Sequence, residues 1–163
     1  MNRASPRSSP RMFESNLFER FSRAHPLTPA VLYLPVVALS LWLALRQQSA
    51  SNVLLAAFGG YLAWTMAEYW LHRTLFHLPV VGPRSARLAF LLHGVHHESP
   101  WDEMRLVMPA GSSLAWCGLT FAAFTALFGG AKWAPFAGFV LGYVVYDELH
   151  WYLHAGRDRK SVV

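Results

Sequence analysis

The chain has little charge and almost no cysteine, and each scarcity excludes something. Only 14% of its 163 residues are charged while 54% are hydrophobic, a balance too apolar for an ordinary soluble domain and characteristic of the membrane class. Cys117 is the single cysteine, so neither an intrachain disulfide nor a thiolate zinc cluster can form. Its setting, Leu-Ala-Trp-Cys-Gly-Leu, predicts inert packing in an apolar span. No His-Glu-x-x-His occurs, which disfavours a zinc protease of that type. No uninterrupted apolar run follows the N-terminal Ser/Pro/Arg stretch, so the opening is not read as a secretory signal. A net charge of +5 raises nucleic acid as a partner. However, the basic residues lie in loops and tails beside apolar stretches, so no nucleic-acid role is expected.

What is present is a tail, an amphipathic segment and four apolar stretches. Residues 1–11 are rich in Ser, Pro and Arg and are expected to be disordered. Over residues 12–26, Phe13, Leu17 and Phe21 recur every four residues with Phe18 beside them, against Glu14, Glu19, Arg20 and Arg23. That pattern predicts a helix lying on a membrane surface. The apolar stretches are Leu27–Leu45, Val53–Leu71, Ser113–Phe128 and Trp133–Leu149. At about 1.5 Å per residue, each of the first two covers roughly 28 Å, near the hydrocarbon thickness of a bilayer. Short connections at Arg46–Asn52 and Gly129–Lys132 predict two helical hairpins. The expected fold class is therefore an all-α integral membrane protein with four transmembrane helices. Trp42, Trp70, Trp101, Trp133 and Trp151 lie near span ends and read as interfacial anchors.

The basic residues orient this topology. Arg3, Arg7, Arg11, Arg20 and Arg23 precede the first span; Arg73, Arg84, Arg87 and Arg105 lie between the two pairs; Arg157, Arg159 and Lys160 follow the last. Only Arg46 and Lys132 fall on the other side. The positive-inside rule then places both termini and the long middle segment in the cytoplasm. With no targeting signal and an Ala/Arg-rich chain, a bacterial inner membrane is the expected location.

Seven of the eight histidines gather on that same face, in three clusters: His72 with His77; His93, His96 and His97; and His150 with His154. Imidazole is a common transition-metal ligand, so the clusters predict a metal centre built across helices. His150 and His154 are four apart, with Asp147 one turn before them, and share a helix face. His93, His96 and His97 also make one face. Glu68 stands one turn before His72. In apolar sequence a carboxylate needs a partner, so Glu68 and Asp147 are expected to hydrogen-bond ligand histidines and fix their ring orientation. His72 and His77 are five apart, about 140° round a regular helix. They can share a site only if the helix ends or bends between them, or if they serve two neighbouring ions. The remaining histidine, His25, reads as a hydrogen-bonded structural residue.

These residues carry a resemblance. Glu68–His77 (EYWLHRTLFH), His93–Pro109 (HGVHHESPWDEMRLVMP) and Gly142–His154 (GYVVYDELHWYLH) resemble the fatty acid hydroxylase superfamily. They are most similar to its fatty acid 2-hydroxylase branch, which acts on acyl chains of sphingolipids. The resemblance covers roughly Phe13 to Gly156, and residues 27–157 are identified as an incomplete hydroxylase-like membrane domain under a cytosolic, histidine-rich helical cap. It implies two iron ions held by His72, His77, His93, His96, His97, His150 and His154, with zinc an alternative occupant of isolated protein. It also implies a membrane lipid substrate, a fatty acyl chain or ceramide, which O2 and a separate electron donor hydroxylate on the carbon next to the carboxyl or amide. A histidine-only donor set suits that chemistry, because imidazoles leave the metal charge uncompensated and iron supplies a redox change that zinc lacks. Arg73 and Arg105 are expected as membrane-surface charges, with a head-group contact as the other role. A sterol- or carotenoid-type enzyme of the same superfamily is the alternative.

The sequence departs from that family in one respect. The family carries a further His-x-x-His-His box soon after the third cluster, and only nine residues follow His154 here, none a histidine. Asp158–Val163 (DRKSVV) is what GATCGGAAGAGCGTCGTG, a common sequencing-adapter sequence, encodes in register. Residues 158–163 are accordingly expected to be non-native, with the natural protein continuing beyond Gly156. A true stop would leave an inactive, truncated membrane protein.

Overall fold

Proline, serine and glycine punctuate the chain at the helix ends. Pro29 stands in the first turn of α2 (Thr28–Leu45), where its missing N–H costs nothing. The Ser49 hydroxyl accepts the Asn52 N–H at 3.4 Å and caps α3 (Ala50–Leu71). Gly129, with φ of 54°, ends the later α6 (Ala110–Phe128) in a conformation that side-chain-bearing residues rarely adopt. The computed structural model describes residues 9–76, 79, 81–99 and 101–160, without the side chains of 75, 76, 92, 93, 96, 97 and 155–160. A six-residue α1 (Asn16–Phe21) occupies part of the segment expected to be helical over 12–26; Ser22 closes it, and Pro26 follows before α2. Between α3 and α6 lie a π turn at His72–Phe76, α4 (Pro83–Ala89), a second π turn at Phe90–Gly94, α5 (Val95–Glu98) and a 3-10 turn at Glu103–Arg105. A further 3-10 turn, Gly129–Lys132, leads into α7 (Trp133–Lys160). Among the described residues there is no strand.

α7 is the organising element. It packs chiefly against α3 and α2, and less against its own neighbour α6. Tyr33 and Val37 of α2, Trp64 of α3, and Phe136, Phe139, Val140, Tyr143 and Val144 of α7 form the main core. Trp64 lies edge-on to Phe139 and Tyr143, with ring centroids 5.2 and 5.3 Å apart. Small residues permit this closeness. A Cβ placed on Gly60 would stand 1.9 Å from the Pro135 carbonyl oxygen, and one on Gly138 would stand 1.8 Å from that of Ala57. α3 and α7 thus meet backbone to backbone, as membrane helices do where small residues line the seam.

Many large apolar side chains face outward from this bundle. Val31, Leu54, Leu55 and Leu127 are 70% exposed or more. Among the described residues, two regions are long and apolar enough to cross a membrane, Thr28–Leu45 and one within Glu103–His154. α7 continues as helix past Leu149, where the apolar stretch ends, because nothing in His150-Trp-Tyr-Leu-His154 breaks it. Its 28 residues extend about 42 Å, well beyond a hydrocarbon core of roughly 30 Å.

Arg105 differs from the sequence reading. Instead of a surface charge it is 5% exposed and sits in a network that ties the N-terminal segment to the turn after the second histidine cluster. It pairs with Glu19, lies 3.4 Å from an Asp102 carboxylate oxygen, and donates to the Ser9 hydroxyl at 3.0 Å. Arg23 joins Asp102 at 3.2 Å, and the Ala24 N–H donates to the Met104 carbonyl at 3.0 Å. A buried guanidinium is tolerated when carboxylates and hydroxyls satisfy it in this way. Burial acts to raise the Glu19 carboxyl, but the N–H groups of Phe13 and Met12 and the Arg105 guanidinium together hold it below its ordinary value.

Candidate functional site

The seam between α3 and α7 opens into a groove of about 660 Å³, within the range of ligand sites. It runs from Tyr61 to His72, roughly 16 Å along α3. Trp64, Val145 and Leu149 give it apolar walls, and Glu68, His72 and Tyr146 stand at its polar end. Spacing explains the convergence: Trp64 and Glu68 on α3 and His72 at its end recur every four residues, and Tyr146, His150 and His154 do so on α7. Each series therefore lies on one helix face.

His150 and His154 lie one turn apart, with ring centroids 4.8 Å apart and planes tilted by 46°. The Tyr146 ring lies 5.7 Å from that of His150, and its hydroxyl is near enough to the Glu68 carboxylate to interact with it. Tyr146 was not singled out in the sequence, although its place four residues before His150 was the available signal. Glu68 reaches from one helix to the other through it. Among the described residues, one Asp147 carboxylate oxygen accepts the Met108 N–H at 3.3 Å and the Tyr143 hydroxyl at 3.2 Å. It therefore fastens α7 to the segment that follows the second cluster. Tyr33 extends this polar seam by donating to the Ser113 hydroxyl at 2.9 Å. His25 is exposed, and its Nδ1 accepts the Leu27 N–H at 3.2 Å.

Each of the first two clusters has one histidine on a π turn, while His96 and His97 lie on α5. His72 opens one and His93 lies in the other, and the two turns contact each other. A π turn closes its hydrogen bonds between residues five apart and recurs at functional sites. His77 lies outside the described residues, and the side chains of His93, His96 and His97 are likewise outside the description. Among the described residues no group of three or more His, Cys, Asp or Glu is arranged to hold a metal. The described donors fit a transition metal by type: imidazoles on neighbouring helices and no thiolate, with His150 and His154 facing the same way.

Comparisons with known proteins converge. A sequence model of the fatty acid hydroxylase family matches residues 57–162. The rat fatty acid 2-hydroxylase is 32% identical, over 93% of this chain and 46% of its own length. The Arabidopsis thaliana dihydroceramide fatty acyl 2-hydroxylase FAH2 is 34% identical, over 93% and 65%. The Saccharomyces cerevisiae ceramide very long chain fatty acid hydroxylase SCS7 is 38% identical, over 85% and 37%. The chain thus spans between about a third and two thirds of the length of these relatives. The solved hydroxylase domain of full-length Scs7p superimposes with a TM-score of 0.80 at 35% identity, covering 86% of this chain and 55% of that one.

Proposed function

Because this chain belongs to the fatty acid hydroxylase family, we propose that it serves as a membrane lipid hydroxylase acting at C2 of a fatty acyl chain, free or in a sphingolipid. The observation that carries this reading is the apolar groove whose polar end is His72, Glu68 and Tyr146. An acyl chain laid along it would have its head beside the histidine clusters. The activities for which these relatives are named, 2-hydroxylation of fatty acids and of dihydroceramide acyl chains, support the same carbon.

In this reading α2, α3, α6 and α7 cross the bilayer as two hairpins, with the N-terminus and the clusters on the cytoplasmic side. The exposed apolar faces of the helices support burial in lipid, since a water-soluble surface of this kind would aggregate. α1 then rests on the membrane surface through Leu17, Phe18 and Phe21, each more than 60% exposed. His72, His77, His93, His96, His97, His150 and His154 would hold two irons. Bound there, iron would supply the activation of O2 that no side chain offers, with electrons from a donor protein. The protein's own residues do the rest. Trp64, Val145 and Leu149 align the chain and exclude water, Tyr146 and Glu68 brace the His150 ring, and Asp147 fixes the distance between α7 and the second cluster.

The test is expression in membranes, with iron measured by mass spectrometry and 2-hydroxy acyl lipids by chromatography. Iron together with 2-hydroxy lipids, both lost in His150→Ala, is the expected result. Iron-loaded protein that leaves lipids unmodified, or hydroxylates another carbon, overturns the reading.

A further inference from the structure

The groove ends on a cation. Among its described lining residues, Arg73 alone carries a permanent positive charge. It is the residue after His72, and its guanidinium is held in place: one Nη donates to the Tyr69 hydroxyl at 2.8 Å, and its carbon lies 6.0 Å from the centre of that ring. A freely snorkelling arginine has no such fixed partner. Tyr69 also lines the groove, so the tether keeps the fork at the polar end.

We propose that Arg73, tethered by Tyr69, binds the head-group oxygen of the acyl chain, a carboxylate or an amide carbonyl, and thereby sets which carbon lies beside the histidine clusters. The inference rests on the groove being the acyl site of the proposed function. The guanidinium presents a planar fork that matches a carboxylate bidentately and donates singly to an amide. With the head pinned one residue from His72, the carbon nearest His72 is the one adjoining the head. Chain length is then read only by how far the tail extends toward Tyr61. A fork at this depth is also within reach of a bilayer phosphate, which presents the same oxyanion chemistry, so the two sources must be told apart.

The experiment uses the whole chain, metal-free, in phosphatidylcholine nanodiscs with and without phosphatidylglycerol. Displacement of tritiated hexadecanoic acid is measured with three competitors: hexadecanoic acid, hexadecanamide and hexadecane. Wild type should bind the acid, then the amide, then the alkane. Arg73→Gln should weaken acid binding about tenfold or more, the scale of a lost charge-assisted hydrogen bond, while leaving hexadecane unchanged. Arg73→Lys should fall between, since it keeps the charge and loses the fork. Equal acid binding by Arg73→Gln and wild type overturns the proposal, as does equal weakening of acid and hexadecane. Loss of the Arg73 dependence on adding phosphatidylglycerol assigns the residue to bilayer phosphate and overturns it too. Because no turnover is measured, the outcomes separate. Arg73-dependent binding without 2-hydroxy product in membranes retains this site and removes the proposed reaction, and product formation with an indifferent Arg73 does the reverse.

Discussion

Gly59 and Gly60 are adjacent on α3, chemically identical, and predicted to respond oppositely to the same methyl group. A Cβ on Gly59 meets nothing within 4 Å, whereas one on Gly60 falls 1.9 Å from the Pro135 carbonyl oxygen and 2.7 Å from its carbon. Ordinary contact begins at 3.4 Å, so Gly60→Ala forces α3 and α7 about 1.5 Å apart at that level. Overpacking of this kind costs about 1–3 kcal/mol, and the separation removes dispersion contacts of about 0.1–0.2 kcal/mol per atom pair along the seam. The helix-propensity gain of alanine over glycine, about 1 kcal/mol, is common to both variants and cancels between them. Unfolding in mixed detergent micelles, followed by circular dichroism across an SDS titration, should therefore find Gly60→Ala less stable than Gly59→Ala by about 1–3 kcal/mol. Superimposable curves would refute the backbone-to-backbone contact. Gly138→Ala, whose Cβ would meet the Ala57 carbonyl, should behave like Gly60→Ala.

Two further outcomes follow from the polar seams. Glu19 has its folded pKa lowered from an ordinary value of 4.5. Its contribution is therefore present above that value and lost as pH falls through the lower folded value. Amide hydrogen exchange over Met12–Ala24, corrected for intrinsic rate, should show protection lost only below about pH 4.5, and Glu19→Gln should abolish the step; a step centred above that pH would contradict the assigned sign. Asp147→Ala strands the Met108 N–H and the Tyr143 hydroxyl and should cost about 1–3 kcal/mol in micelle unfolding. Asp147→Asn, which keeps an accepting oxygen, should cost distinctly less, and equal losses would mean that the Met108 contact is unimportant.

The helices were legible because their signals are local. The stretch Leu27–Leu45 predicted α2 to within a residue of Thr28–Leu45, and Trp133 opens α7 as read. What pairs with what was less visible. Hairpin reasoning paired α6 with α7, yet α7 packs mainly on α3 and α2, because contact follows the glycine seam and not chain order. Arg105 was read from its own neighbourhood, but its partners Glu19, Ser22 and Ser9 lie 83 to 96 residues away, beyond any local pattern. Asp147 was expected to hydrogen-bond a ligand histidine, with His150 one turn along its own helix. The Met108 N–H it holds is a backbone group, which residue identity does not advertise. The five-residue interval between His72 and His77 did register as a mismatch with a regular helix. Its structural counterpart is a π turn starting at His72, a widening that depends on tertiary context and has no sequence signature of its own.

The unbroken course of α7 has a consequence for how this protein can vary. Gly138, packed backbone to backbone against α3, and His150 and His154, one turn apart near the far end of α7, belong to one helix. Between Gly138 and His150 the helix has no loop in which an inserted or deleted residue could be absorbed. One residue more would swing both imidazoles about 100° round the axis and lift them about 1.5 Å. Substitution along this stretch is open to drift; its length is not. Homologues should keep that interval to the residue even where hardly any side chain within it is shared, and an alignment with a gap there would mark a protein whose site has been rebuilt or abandoned.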